Sequence, residues 1–190
     1  NIRKTEVSDR PIVRKIAISF PLFLTSITRP EIIFIVAINT KIDNLLISVG
    51  GGGLISGVSS YIKQFYPKIK IIGVEPENAN GLNQSLRANK PLNNINVNSI
   101  ADSLSAPLHM QYSFDVAKKV IDEMVTVSDD EMKKFMVFCY KKFKLFLEPA
   151  CVAGLAALKY KINNKLIGKN TMVILCGSNI DKKTWTDLTN

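Results

Sequence analysis

Histidine is almost absent from this sequence: His109 is the single one among 190 residues. It forms no metal cluster, and a histidine-based catalytic triad would have to rest on it alone. Cysteine is scarce as well. Cys139, Cys151 and Cys176 are scattered without paired spacing, which argues against a disulfide framework and suits a reducing cytoplasm. No apolar run reaches the length of a membrane span. Neither G-x-G-x-x-G nor a Walker loop, with Lys-Ser or Lys-Thr after its last glycine, occurs. The basic start and the apolar run at 16–24 have the outline of a secretory leader. Pro21 interrupts that run, and no small-residue cleavage site follows it.

What is present is a globular composition. The hydrophobic fraction is 46%, and the length suits one domain with a full core. The formal charge of +9 comes mostly from lysines spread among Asn and Ile. The densest group, Lys133, Lys134, Lys141, Lys142 and Lys144, has helical spacing and reads as a solvated helix face. A nucleic-acid surface would more often carry arginines and aromatics along a basic stripe, so neither a nucleic acid nor a membrane is expected as partner.

The chain becomes regular from residue 42. The apolar stretch 44–49 reads as a buried strand. Leu54, Ile55, Val58, Tyr61, Ile62 and Phe65 then recur at three and four, as on a helix ended by Pro67. The β-branched run 69–74 is the next strand, so strand, crossover helix and strand form a βαβ unit and imply a parallel sheet. Further on, the pattern predicts a short helix at 80–88 and loops at 89–99 and 101–107. A helix near 114–123 with Ser113 as its cap and a strand at 125–127 come next. Ser128 and Glu131 read as a capping box for a helix running to about 146. Glu148-Pro149 opens a helix rich in Ala and Gly that packs close to a neighbour. The last strand is 171–175. The run 32–38 is a further candidate strand.

Between the first buried strand and its helix stand four glycines, Gly50, Gly51, Gly52 and Gly53. Ordering four glycines costs backbone entropy. A flexible turn is one reading. The other is close approach of backbone to a ligand, with N–H groups at a helix start forming a cup for an anion such as phosphate.

The motifs V-G-G-G-G-L-I-S-G, G-V-E-P, A-D-S-L, E-P-A-C-V-A-G and L-C-G-S-N-I-D stand in this order along the chain. Together they resemble the pyridoxal-phosphate enzymes of the threonine dehydratase and serine racemase group, within the tryptophan-synthase β-like fold (fold type II). The resemblance covers about residues 39–182. It implies an α/β fold: three layers, an open and mostly parallel sheet with helices on both faces, the larger domain of such an enzyme without its N-terminal half. It implies cytoplasmic dehydration and deamination of a small amino acid, L-threonine or L-serine, to a 2-oxo acid and ammonia, in a homo-oligomer. Serine racemization and a non-catalytic remnant are the alternatives.

Residue by residue, the resemblance implies that Gly50, Gly51, Gly52 and Gly53, with the backbone of Leu54, bind the cofactor phosphate. Cys176 would face the pyridine nitrogen, and Glu148 would lie near the ring. Read from their own chemistry, Cys176 is equally a small core residue and Glu148 a helix-start acid. Glu75 and the carbonyl of Ala79 match part of a divalent-cation site for Mg²⁺ or Ca²⁺. The third ligand position is Gly81, a departure that leaves Glu75 a plain capping residue on the other reading.

The family's Schiff-base lysine lies in an S-x-K-x-R-G-A stretch, and no such stretch occurs here; nor does the S-x-G-N-H substrate loop. Residues 1–38 are thus expected to be an unassigned segment, truncated or frameshifted. Residues 39–190 are expected to be the C-terminal part of the cofactor-binding domain.

Overall fold

The computed structural model describes residues 16–19 and 41–190. The strand expected at 32–38, like most of the 1–38 segment, lies outside the described residues. Five strands form one sheet: β1 (Ile16–Ser19), β2 (Asn44–Ser48), β3 (Lys70–Pro76), β4 (Glu123–Val127) and β5 (Thr171–Ile174). Their order is β1-β5-β2-β3-β4, and every pairing is parallel. The helices are α1 (Gly53–Phe65), α2 (Gly81–Ala88), α3 (Gln111–Val120), α4 (Asp129–Phe143), α5 (Pro149–Tyr160) and α6 (Lys182–Thr189). The α/β class and the open parallel sheet are therefore as the sequence implies.

Alternation along β2 sorts its side chains between two cores. Leu45 and Ile47 join Val49, Ile55, Val58, Leu82, Phe114 and Ala117 under α1, α2 and α3. Leu46 faces the other way and packs with Val173, Met136, Ala153 and Trp185 under α4, α5 and α6. A strand covered on both faces has no polar side, which is why 44–49 reads as a nearly continuous apolar run. Leu46, Ile47, Ile71 and Ile72 are fully buried; each such side chain contributes roughly 2 kcal/mol to stability.

The path of the chain explains the layering. From β2 to β3 to β4 it moves outward in one direction with α1, α2 and α3 on one face. It then returns beneath α4 and α5 and adds β5 on the far side of β2. One crossover hand applied to opposite directions of travel places the two helix sets on opposite faces. Helix α5 makes the closest approach. A Cβ on Gly154 would stand 2.6 Å from Cγ1 of Val173, which accounts for the small residues along this helix.

Several boundaries differ from the sequence reading. Ser113 is not the cap of α3; Met110 is, and the Ser113 hydroxyl donates to the Met110 carbonyl at 3.2 Å from within the first turn. The chain turns extended at Ile121 to begin β4, so the helix stops short of 123. Helix α4 opens on the Ser128–Glu131 capping box as expected, but ends at Phe143, where Lys144 adopts a left-handed conformation at φ 59. Its buried side is Met132, Met136 and Cys139, while Lys134, Lys141, Lys142 and Lys144 are exposed. Helix α6 has no counterpart in the sequence reading; Asp181 caps it by accepting from the Thr184 N–H at 3.0 Å.

Candidate functional site

Strands β2 and β5 lie side by side, yet the chain leaves them toward opposite faces: α1 belongs to one core and α6 to the other. Divergence of this kind opens a crevice at the carboxyl ends of the two strands. The cleft there measures about 540 Å³ with its mouth included. It is lined by residues 48–55 after β2, by Ser103 and Leu104, by Glu148 and Ala150 at the start of α5, and by Cys176 beyond β5. Three of the five motifs that carry the resemblance thus supply its walls, and Ser103 and Leu104 add a fourth.

The four glycines do not share one role. At Gly50 a Cβ would stand 2.6 Å from the Ser103 carbonyl oxygen, so this glycine lets the 102–104 turn pack against the loop. Gly52 has φ +87, a left-handed conformation that L side chains seldom adopt, and it starts α1. Among the described residues, a Cβ on Gly51 or Gly53 would meet nothing within 4 Å. No packing contact of the described residues requires glycine at these two positions, and both line the cleft. Helix α1 has no side-chain cap and no acid in its first turn. Its first N–H groups carry the positive end of the helix dipole and lack intrahelical acceptors.

The opposite wall consists of side chains. Glu148 precedes Pro149 at the start of α5 without capping it. Burial raises its carboxyl above the usual range, the Asp102 charge raises it further, and a 3.4 Å hydrogen bond from the Ser103 hydroxyl works the other way. Gly177, at φ +129, leaves room for the Glu148 carboxyl, which a side chain there would strike. Burial, with the neighbouring Glu148 charge, also pushes the Cys176 thiol up. Cys176 is therefore a neutral thiol at physiological pH. Cys151 is buried among the core residues, and burial holds its thiol neutral as well.

Glu75, Ala79 and Gly81 lie elsewhere, at the end of β3 and the start of α2. Glu75 is 1% exposed, and its carboxylate accepts the Leu82 N–H at 2.8 Å and the Asn83 N–H at 2.9 Å. It closes the N-terminus of α2. Gly81 offers no side-chain oxygen, its carbonyl already accepts from the Ser85 hydroxyl at 2.8 Å, and the space a side chain there would need is taken by Ile95 and the His109 ring. This donor set does not fit a divalent cation. One carboxylate is spent on two amides, Ala79 is itself buried, and among the described residues no cluster of three metal-ligating side chains occurs.

Sequence reasoning missed three cleft-side groups. Ser48 lines the cleft with a buried hydroxyl that has no hydrogen-bond partner. Ser103 meets Glu148. His109, 3% exposed, bonds through Nε2 to the Gly50 carbonyl at 2.9 Å. All three depend on contacts across the fold; only the A-D-S-L motif around Ser103 left a trace in sequence. Among the described residues, no lysine lines the cleft.

The model of the family described as pyridoxal-phosphate dependent enzyme matches residues 25–177. The match reaches upstream of residue 39, into the segment where the motifs give no resemblance. The phenylserine dehydratase of Ralstonia pickettii is 40% identical over 144 residues, covering 76% of this chain and 44% of that protein. The solved structure of processed threonine deaminase isoform 2 from Solanum lycopersicum superposes with a TM-score of 0.73 at 34% identity, over 78% of this chain and 43% of that one. Maize serine racemase gives a TM-score of 0.68 at 30% identity, over 78% and 46%. The chain spans about half the length of these relatives. A parallel sheet with its cleft at the β2–β5 divergence, a glycine-built helix start facing that cleft, and a family match over most of the sequence converge: this chain belongs to the pyridoxal-phosphate dependent enzymes.

Proposed function

We propose that this chain forms the phosphate-holding and ring-facing walls of a pyridoxal-phosphate site, in an ammonia-lyase acting on L-threonine or L-serine. The carrying observation is the pair Gly51 and Gly53: open toward the cleft, unconstrained by the fold, at the uncapped start of α1. A phosphate dianion suits such a set of free N–H groups. Gly50, Gly52 and Leu54 complete the loop. Pyridoxal phosphate, when bound, supplies the electron sink that makes the substrate's α-carbon acidic.

The residues of this chain would each contribute something distinct. The amides of residues 51–54 hold the phosphate and so fix the position of the ring. Cys176, neutral, would face the ring nitrogen; a thiol would not hold that nitrogen in its charged, protonated form as a carboxylate would, and the sink would stay mild. Glu148 sits beside Cys176 with its affinity for a proton raised by burial. A mild sink suits elimination of a β-hydroxyl, and phenylserine, threonine and serine, named in the relatives, all carry a hydroxyl on the β-carbon. The family's lysine motif does not occur in the sequence, and among the described residues no lysine lines the cleft, so the chain alone is expected to be inactive.

Two measurements test this. Equilibrium dialysis of the full chain should show pyridoxal 5′-phosphate binding at least tenfold more tightly than pyridoxal; equal affinity overturns the phosphate assignment. Incubation with cofactor and L-threonine or L-serine should release no 2-oxo acid above background. Release that is abolished by mutating one lysine would show that a lysine of this chain has taken the catalytic role.

A further inference from the structure

His109 does nothing in the reading above. It stands just before α3, and yet its ring reaches the glycine loop after β2. Nε2 lies 2.9 Å from the Gly50 carbonyl oxygen. A carbonyl only accepts, so Nε2 carries the hydrogen, and in the neutral ring Nδ1 carries the lone pair. Nδ1 is buried and has no partner. The bond to Gly50 is therefore the only one the ring makes among the described residues.

The consequence follows from peptide geometry. The Gly50–Gly51 unit is planar and trans, so its C=O and N–H point in opposite directions. Whatever holds the Gly50 oxygen inward turns the Gly51 N–H the opposite way, and Gly51 lines the cleft. On the flanks, Gly50 is pressed against Ser103 and Leu104, and Gly52 stands 3.7 Å, measured from its would-be Cβ, from Cδ2 of the same ring. Gly81 provides room for the ring, since a Cβ there would lie 3.1 Å from its Cε1. The glycine at 81 and the histidine at 109 are thus one arrangement.

We propose that His109 is a positioning residue for the anion cradle: its Nε2–H hydrogen bond to the Gly50 carbonyl aims the Gly51 N–H at the phosphate. This rests on the phosphate reading above. The recognised chemistry is a phosphate monoester, and inorganic phosphate is the simplest probe.

The experiment follows the Gly51 amide by ¹⁵N NMR during a phosphate titration of the full chain, beside pyridoxal 5′-phosphate and pyridoxal dialysis. His109→Met should weaken phosphate and pyridoxal 5′-phosphate at least tenfold while pyridoxal changes less than twofold. His109→Gln places an N–H donor where Nε2 was, and should recover affinity to within threefold. His109→Asn is too short to reach and should not. If the wild type binds and His109→Met binds equally well, the positioning role is overturned and the phosphate reading stands. If the wild type shows no phosphate binding, both fall. Should the variants fail to fold, the wild-type ring decides: imidazole ¹⁵N shifts must show hydrogen on Nε2 and none on Nδ1, and the opposite tautomer overturns the proposal.

Discussion

Helices α1 and α2 begin in the same way and end up with opposite electrostatics. Each follows a parallel strand of the same sheet, and the two lie over the same core. At α2 the preceding strand contributes Glu75, whose carboxylate takes the Leu82 and Asn83 amides. At α1 the loop after the preceding strand supplies glycines, and the helix start has no acid and no side-chain cap. The fold shows at α2 what a helix start does with a carboxyl group from its own chain. The start of α1 has the same amides without an internal acceptor among the described residues, and on the function proposed above its anion comes from a ligand. On that reading the difference separates a structural helix start from a binding one.

The comparison can be broken first by pH. Burial pushes the Glu75 carboxyl up to about 7 from an ordinary 4.5, against the two amides that pull it down. A raised folded pKa means that the native state holds the proton more tightly than the unfolded chain. The contribution of Glu75 to stability is therefore greatest below about 4.5 and is lost as pH rises through 7, a change on the order of 3 kcal/mol. Urea midpoints across pH 4.5 to 8 measure this. Glu75→Gln should flatten that part of the profile; an unchanged slope would mean that Glu75 is not the group.

The next test separates two neighbouring glycines. Gly50→Val forces a Cβ against the Ser103 backbone and should lower unfolding free energy by about 2 kcal/mol. Gly51→Val meets no atom of the fold and should leave the urea midpoint almost unchanged while weakening pyridoxal 5′-phosphate at least tenfold. Equal destabilisation by both would make the loop a packing turn.

The smallest effect sharpens the comparison by converting α1 into a copy of α2. Gly53→Asp puts a carboxylate in the first turn, where a Cβ has open space. The chain should gain about 0.5 kcal/mol in unfolding, from the dipole and from removal of a helical glycine. Phosphate binding should fall at least tenfold, because the site now carries its own anion. Retained phosphate binding would show that the amides of α1 are not what recognises it.

Strands β2 to β5 and the long helices were legible in the sequence because burial on both faces leaves continuous apolar runs, and burial on one leaves a three-and-four spacing; β1 was not read as a strand, its residues standing instead in the apolar run at 16–24. The Ser128–Glu131 box gave the start of α4 correctly because a cap is a local interaction. Ser113 misled for the same reason: its hydroxyl had a local alternative at the Met110 carbonyl. Helix α6 buries Trp185 but shows little further apolar periodicity, so its Asp181 cap stood without a pattern behind it. Of the cleft, the glycines and Cys176 could be read as motifs. The separate reasons for each glycine could not, because Ser103 and His109 lie more than fifty residues from the loop they touch. Glu75 was legible as a special residue and not as the cap of α2, since its partners depend on the turn between them.

The adjacency of β2 and β5 has a consequence for the order of assembly. Asn44 pairs with Lys70 on one side, and on the other with Thr171, 127 residues away, where its side-chain amide also donates to the Thr171 hydroxyl at 3.2 Å. Closing the longer loop costs about 1.4 kcal/mol more in chain entropy by the logarithmic scaling. During synthesis the glycine loop leaves the ribosome long before Cys176 exists, and β2, α1 and β3 can pair while the cleft still lacks its second wall. The site is thus completed by the last strand to arrive. A ligand that touches both walls would favour that late pairing by mass action, and so act on the maturation of the chain as well as on its chemistry.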